Sequence, residues 1–278
     1  YLAKKIFGIE DMPAYKIVFI SAGVGMLLSL VWFWLGRGQL KGIGLPAAHQ
    51  TGLRNVSLVL LGGVVIGIPL FYALLTIDAG LLQAILMALF VIPAIMLLRE
   101  GVVEGQVSRD KVMAMLTIFV FNVLFWMFFE QAGSSFNFLA DKIVDRDIGM
   151  QGLFQALAGT NDFPVSWFQS VNSVAIIALA PVLAWLWVKM GRNNPIIPRK
   201  FGLGLIFNGL AFLLLMFALS SMVDDAGKIP FWTLFMVYVI QSVGELCLSP
   251  IGLSMTTKLA TTKLVGFAMA GWFLSTGI

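Results

Sequence analysis

Two glutamates, Glu130 and Glu245, interrupt long stretches of uncharged, mostly apolar residues. An ionised carboxylate inside an apolar membrane helix costs at least about 2.5–3.5 kcal/mol, so such residues usually face a bundle interior or a water-filled cavity. A carboxylate in that position is suited to proton uptake and release or to binding a cation. The alternative is an ion pair that locks two helices together, and the residue types alone leave both interpretations open.

The neighbours of Glu130 extend its polar character along the chain. Trp126, Glu130, Ser134, Asn137 and Asp141 follow one another at spacings of 4, 4, 3 and 4, which places them on one face of a continuous helix. An aromatic ring followed by a polar stripe is typical of a cavity lining. A set of interhelical hydrogen bonds beside a packed tryptophan is the alternative.

Glu245 has a similar setting. Gln241, Glu245 and Ser249 recur at every fourth position and therefore share a helix face. Pro250 follows them and leaves the carbonyl of Leu246 without its helical partner, which predicts a kink near Glu245. A bent helix that carries a buried acid is suited to act as a gate element.

A third polar pair, Gln169 and Asn172, lies in another apolar stretch. Asn172 either lines the same cavity or bonds one helix to the next. A single His and a single Cys exclude a disulfide framework and a His/Cys metal cluster. His49 is interpreted as a solvated loop residue and Cys247 as a small buried apolar residue. No glycine-rich phosphate loop and no serine beside a base is present, so the sequence predicts no enzymatic activity, metal or organic cofactor.

The composition is that of a membrane protein. Of the 278 residues, 59% are hydrophobic and only 12% are charged, about half the charged fraction of a soluble domain. The mean hydropathy is +0.94. The net charge of +4 does not indicate nucleic-acid binding, because basic residues of membrane proteins mainly mark the cytoplasmic loops.

Uncharged stretches long enough to cross a bilayer are predicted to form helices, since a helix satisfies its own backbone hydrogen bonds in lipid. Seven full spans and one partial span are predicted, and two of the full spans are interrupted by a single acid, Glu130 or Glu245. They are Ile17–Gly36, Asn55–Ile77, Ala79–Leu98, Val112 to about Ala140, Phe163–Val188, Phe201–Val223, Ile229–Thr257 and the partial Leu264–Ile278.

The loop charges predict the orientation. Loops 37–54, 189–200 and 258–263 carry basic residues without acids, whereas loops 141–162 and 224–228 are rich in Asp. Basic loops stay on the cytoplasmic side, and strict alternation of the spans then places both acidic loops outside.

Spans 55–77 and 79–98 are separated by Asp78 alone and are predicted to form a tight structural hairpin. Gly63 and Gly67 form a small-xxx-small pattern suited to close helix packing. The chain starts without a signal-peptide pattern and its last apolar stretch has 15 residues, short of the about 20 needed to cross a bilayer. The sequence is therefore expected to be a piece of a longer protein.

Four motifs resemble the C-terminal half of the bacterial proton-dependent oligopeptide transporters, a family of the major facilitator superfamily. They are FWMFFEQAGSS (125–135), WFQSVN (167–172), GELCLSPIGLS (244–254) and WFLS (272–275). The resemblance covers nearly the whole chain, and GELCLSPIGLS is its most specific part. The family's E-x-x-E-R proton-coupling motif is not among these residues.

The resemblance implies an all-α membrane fold, a major facilitator helical bundle of which about eight membrane helices are present. Residues 1–36 would carry the last helix of the N-terminal bundle. Residues 37–111 would form a cytoplasmic linker and a two-helix hairpin insertion. Residues 112–278 would form the C-terminal bundle, truncated in its eleventh helix.

The resemblance also implies roles for single residues. Asn172 and Glu245 match residues that hold the free amino terminus of a peptide, and Trp126 matches a tryptophan of the substrate pocket. Residues that line a side-chain pocket match Ser249, Trp272 and Phe273. Residues of the gates match Glu130, Asp141 and Glu245.

The implied function is import of di- and tripeptides with protons as the coupling ion, in a multi-pass protein of the bacterial inner membrane. The implied partners are the peptide, the lipid bilayer and an N-terminal six-helix bundle of the same protein, with no nucleic acid. Two alternatives remain: a major facilitator symporter for nitrate or another small organic solute, and a membrane scaffold without transport activity.

Overall fold

The fold is taken from a computed structural model that describes residues 11–40, 53–260 and 264–277. The prediction that His49 is a solvated loop residue concerns a residue outside these ranges. Parts of loops 37–54 and 258–263, whose basic residues predict the orientation, also lie outside them.

The described residues form α-helices joined by turns and loops. The helices are α1 (Asp11–Gly36), α2 (Leu53–Thr76), α3 (Ala79–Glu104), α4 (Gln106–Phe129), α5 (Ser135–Lys142), α6 (Gln151–Leu157), α7 (Val165–Lys189), α8 (Ile197–Ser221), α9 (Phe231–Leu259) and α10 (Val265–Gly277), with 3-10 turns at Arg37–Leu40, Glu130–Gly133 and Gly191–Asn193.

Within the described ranges, seven helical segments are long and apolar enough to cross a membrane, and they coincide with the seven full spans predicted from the sequence. They are Phe19–Leu40, Ser57–Leu74, Ala79–Glu104, Gln106–Lys142, Val165–Lys189, Ile197–Ser221 and Phe231–Leu259. Large apolar side chains cover their outer surfaces, for example Trp32, Ile177 and Val188, which are all exposed. This confirms an all-α, multi-pass membrane protein.

Close contacts divide the chain into two units, 1–82 with 157–159, and 83–156 with 160–278. The first unit contains α1, α2 and the start of α3. The predicted tight turn at Asp78 is confirmed, because its carboxylate accepts the N–H groups of Gly80 at 2.9 Å and Leu81 at 3.3 Å. A methyl group at Gly63 or Gly67 would meet no described atom within 4 Å, so the close helix packing at these glycines stays a prediction.

The second unit is organised around α9, which packs against α7, α8, α10 and α4. The closest approach is between α8 and α9 at Gly204 and Gly244. A Cβ at Gly204 would lie 2.8 Å from the Gly244 carbonyl oxygen, and a Cβ at Gly244 would lie 2.9 Å from the Gly204 carbonyl oxygen. The two backbones touch only because neither residue has a side chain, as is common in membrane helix pairs.

The predicted span from Val112 to about Ala140 is not one continuous helix. Helix α4 ends at Phe129, a 3-10 turn covers Glu130–Gly133, and α5 starts at Ser135. Ser134 joins the two parts with φ −126° and ψ −85°, outside the helical region. The single helix face predicted to run from Trp126 to Asp141 is therefore wrong.

The end of α5 is tied to the beginning of α9 by backbone hydrogen bonds. The N–H of Ile229 donates to the Ile143 carbonyl at 2.8 Å, and the N–H of Asp145 donates to the Ile229 carbonyl at 2.9 Å. Helix α9 itself is continuous through Pro250, and the predicted kink near Glu245 stays a prediction.

Candidate functional site

Glu245 lies in a hydrogen-bonded cluster between α7 and α9. The Asn172 Nδ2 donates to Glu245 Oε2 at 3.0 Å and to Ser242 Oγ at 3.0 Å. The Ser242 hydroxyl donates to the carbonyl of Tyr238, one turn earlier in α9, at 2.7 Å. Ser242 is buried, while Asn172 and Glu245 are partly exposed. The two side chains that the sequence assigned to one site are in direct contact.

This cluster has acceptor capacity to spare. An ionised carboxylate offers about four acceptor positions, and the described residues supply Glu245 with the single side-chain bond from Asn172. Glu245 is partly exposed, and an ammonium group at its carboxylate would find unused acceptor positions. The Asn172–Glu245 bond also joins α7 to α9, as the helix-contact interpretation of Asn172 predicts, and its role in a cavity lining stays a prediction.

Ser242 was missed from the sequence. It stands three positions before Glu245, a spacing that places both side chains on one helix face. The sequence favoured Gln241 instead because of its four-residue spacing from Glu245. Gln241 is 1% exposed and bonds to α8, away from the Asn172 cluster.

Trp126 lies near the end of α4 in an aromatic group. Its ring centroid is 5.6 Å from that of Phe125 and 5.1 Å from that of Phe129. The indole N–H is buried and has no hydrogen-bond acceptor among the described residues. Buried indole N–H groups usually have a partner, so this donor is available to a group that the structure does not contain.

Glu130 occupies the first position of the 3-10 turn and is exposed. No salt bridge within residues 11–40, 53–260 and 264–277 involves its carboxylate. The gate role of Glu130 stays a prediction.

Asp141, the second predicted gate acid, has partners close by in sequence. Its carboxylate lies 2.8 Å from Lys142 Nζ and 4.0 Å from Arg146 Nη2. The side chain is 47% exposed, and exposed pairs of this kind contribute about 0–1 kcal/mol. These contacts neither establish nor exclude a gate role.

The three residues predicted to line one side-chain pocket differ widely in exposure. Ser249 is partly exposed, Phe273 is 61% exposed and Trp272 is 3% exposed. The Trp272 ring lies against Gly252 of α9 and meets Phe119 of α4 edge-on, at a centroid distance of 6.0 Å. In this conformation Trp272 is part of the helix packing, and its role as a substrate contact stays a prediction.

A buried chain of amides links α8, α9 and α4, and the sequence did not predict it. Gln241 Nε2 donates to Asn208 Oδ1 at 2.9 Å, and Asn208 Nδ2 donates to the Phe125 carbonyl at 3.0 Å. Asn208 is 4% exposed. The available signal was a single amide in the apolar stretch 201–219. No group of three potential metal ligands occurs in the described part of the chain.

Comparison with known proteins places this arrangement among transporters. The family model described as "PTR2: POT family" matches residues 6–278. The "Uncharacterized transporter YclF" of Bacillus subtilis strain 168 is 30% identical over 269 residues, which cover 94% of this chain and 52% of that protein. The "Dipeptide and tripeptide permease B" of Salmonella typhimurium strain LT2 is 30% identical over 272 residues, covering 96% and 53%.

A solved structure shows the same fold. A mutant of "peptide transporter POT" in complex with alafosfalin is 32% identical and superposes with a TM-score of 0.61. The match covers 99% of this chain and 55% of that chain. This chain thus spans about half the length of the proteins that it matches.

Proposed function

The chain belongs to the POT family, and from this premise we propose that the full-length protein is a proton-coupled symporter that imports di- and tripeptides across a bacterial inner membrane. Transport would proceed by alternating access between this half and an N-terminal six-helix bundle, about a site near the middle of the membrane. The partners are the peptide, the bilayer and that bundle. Neither an enzymatic step nor a metal or organic cofactor is part of the proposal.

The observation that carries the proposal is the contact between Asn172 and Glu245, with Ser242 beside them. A peptide has a free ammonium group, which needs a carboxylate and acceptor oxygens in a place of low dielectric constant. Glu245 provides the carboxylate, and Asn172 holds it in place. Helices α7 and α9 thereby present a fixed anion to the amino terminus.

The other predicted site residues complete the proposal. The indole N–H of Trp126 lies beside aromatic rings and has no acceptor within the described ranges; Trp126 contacts the peptide backbone or side chains. Ser249, Trp272 and Phe273 contact substrate side chains, which requires Trp272 to leave its present packing at another stage of the cycle. Large aromatic faces make few demands on sequence, as a carrier of many peptides requires.

Glu130 and Asp141 are proposed as gate acids, which pair with basic residues of the N-terminal bundle. Glu245 is proposed to serve twice, in peptide binding and in a gate ion pair. Substrate and gate then compete for a single carboxylate, and this competition couples peptide binding to opening.

The test is uptake into liposomes that contain the full-length protein, driven by an inward proton gradient. Labelled dialanine should accumulate, and excess unlabelled dialanine should compete while free alanine and nitrate should not. Collapse of the gradient by a protonophore should abolish the accumulation. Competition by nitrate or by free alanine equal to that by dialanine would refute peptide specificity, and the absence of any uptake would refute the transport proposal.

A further inference from the structure

We propose that Asn208 and Tyr238, with Gln241 behind Asn208, are positioning residues that fix the backbone of the interrupted segment around Glu130. Their side chains make no described hydrogen bond to the Asn172 cluster or to the Glu130 side chain. They act on two backbone carbonyls instead. The transport measurement of this inference rests on the proposed function, whereas its structural measurement does not.

The first contact is on the N-terminal side of Glu130. Asn208 donates to the carbonyl of Phe125 at 3.0 Å, and Gln241 donates to the oxygen of Asn208 at 2.9 Å. A carboxamide has its acceptor and its donors on opposite sides. By occupying the Asn208 oxygen, Gln241 turns the amino group of Asn208 toward the Phe125 carbonyl, and a flipped amide would lose both bonds.

The second contact is on the C-terminal side of Glu130. The Tyr238 hydroxyl donates to the carbonyl of Ala132, inside the 3-10 turn, at 3.3 Å. Tyr238 is 2% exposed, so its ring is fixed by the surrounding core. Phe125 and Ala132 lie on either side of Glu130 in the sequence, and external donors therefore hold the segment at both ends.

An interrupted helix needs such donors more than a continuous one does. The hydrogen bonds of a 3-10 turn are poorer in geometry than those of an α-helix, and Glu130–Gly133 forms such a turn. The Asn208 bond to Phe125, one turn before the end of α4, and the Tyr238 bond to Ala132 stabilise this arrangement from outside. The backbone held in this way determines where Trp126 and Glu130 point.

Helix α9 connects the residues that hold the interrupted segment with the proposed peptide site. Tyr238 and Gln241 hold the interrupted segment, while Ser242 and Glu245, in the same part of α9, form the Asn172 cluster. The Ser242 hydroxyl is bonded to the Tyr238 carbonyl. A single stretch of α9 thus fixes Glu245 directly and Glu130 through the backbone of its neighbours.

The experiment compares three substitutions in the full-length protein: Asn208→Leu, Gln241→Leu and Tyr238→Phe. Tyr238→Phe removes only a hydroxyl group and is the variant least prone to misfold. Thr256→Val is the matched control, because Thr256 is 1% exposed and its hydroxyl bonds only to Gly252 of its own helix, at 2.9 Å. It removes a buried hydrogen bond that does not reach the interrupted segment.

The structural measurement is amide hydrogen exchange followed by mass spectrometry. Asn208→Leu should speed exchange in segment 126–134 about tenfold, since local opening becomes easier there, while exchange in α7 and α10 stays unchanged. Tyr238→Phe should act in the same direction with a smaller effect. Unchanged exchange in 126–134 in both variants would overturn the proposal, as would an equal rise in the Thr256→Val control.

The transport measurement separates positioning from folding. Asn208→Leu should raise the KM for dialanine about two- to tenfold, the equivalent of one hydrogen bond, through displacement of Trp126. A purely structural role would lower only the amount of folded protein. Since Gln241 acts through Asn208, the double variant Asn208→Leu/Gln241→Leu should have the same KM for dialanine as Asn208→Leu alone. If the effects of the two substitutions on KM are fully additive, Gln241 does not act through Asn208.

Failure of the inference and failure of the proposed function are distinguishable. If the wild-type protein takes up no dialanine, the proposed function is wrong, and the exchange rates of 126–134 still decide on positioning. If the wild-type protein transports dialanine while the exchange rates are unaltered by Asn208→Leu and Tyr238→Phe, only the positioning inference is wrong.

Discussion

The carboxylates of Glu245 and Glu130 are held in opposite ways. Glu245 lies within the continuous helix α9 and its side chain is bonded to Asn172. Glu130 lies in a 3-10 turn between two helices, and its side chain has no ion-pair partner in the described part of the chain. In one region the side chain is fixed on a rigid helix, and in the other only the backbone is held.

This difference suggests a division of labour. A side chain fixed before the ligand arrives loses little conformational freedom on binding, which favours affinity. An acid at an interruption of a helix can change direction with small changes in a few backbone angles, which suits a group that pairs with different partners in different states. Glu245 thus has the features of a binding residue and Glu130 those of a moving one.

The largest expected effect tests the fixed acid. Glu245→Gln should weaken dialanine binding by about 2–5 kcal/mol, or at least about thirtyfold, because it removes the charge that faces the peptide ammonium. Binding to the purified full-length protein, measured by calorimetry, and uptake into liposomes should fall together. Glu104→Gln, which removes an exposed carboxylate bonded to Ser108 in the structure, is the control. Wild-type binding and uptake in Glu245→Gln would refute the role of Glu245.

A second prediction compares the packing around the two regions. A Cβ at Gly252 in α9 would overlap the Trp272 ring, whereas a Cβ at Gly133 in the interruption would meet no described atom within 4 Å. Gly252→Ala should destabilise the protein by about 1–3 kcal/mol, the usual cost of overpacking. Gly133→Ala should leave stability unchanged or raise it by about 0.4–1 kcal/mol, because the unfolded chain loses freedom.

Thermal unfolding in detergent measures both substitutions. The melting temperature of Gly252→Ala should fall clearly below that of Gly133→Ala. Equal melting temperatures would show that Trp272 is not held tightly against α9, and that the two regions do not differ in packing as described.

The regions also differ in how far the sequence predicted them. Long apolar stretches fix the number and type of the spans, and the seven full spans were predicted correctly because the bilayer requirement acts on composition alone. The family resemblance, which the match over residues 6–278 confirms, assigned Asn172 and Glu245 to one site. The hydrogen bond between them was not predicted.

The interruption after Phe129 was not predictable in the same way. The spacing of polar residues from Trp126 to Asp141 fits a continuous helix, and Gly133 is only a weak signal for a break. The donors that fix the interrupted backbone, Asn208 and Tyr238, come from distant parts of the chain. Local sequence contains no record of such contacts, so the position of Glu130 depends on tertiary structure.

The burial of Trp272 has the same kind of cause. The family resemblance assigned Trp272 to a pocket lining, and its place in this structure is set by the absence of a side chain at Gly252, in another helix. A periodicity argument treats each helix separately. The packing of a large residue of one helix against a glycine of another depends on both helices and cannot be predicted from the periodicity of either one.

The smallest expected effect tests the moving acid and separates it from the fixed one. Glu130→Gln should leave dialanine binding within about threefold of wild type. The Glu130 side chain is not part of the described Asn172 cluster, so its removal should not change the affinity for the bound peptide. The maximal rate of proton-driven uptake should fall about tenfold, the equivalent of one lost charge-assisted contact of about 1.4 kcal/mol in the cycle. Uptake rates measured at saturating dialanine, together with binding to the purified protein, give the two quantities separately. If binding falls as far in Glu130→Gln as in Glu245→Gln, both acids hold the peptide, and the contrast between a binding carboxylate on a rigid helix and a gate carboxylate at its interruption is wrong.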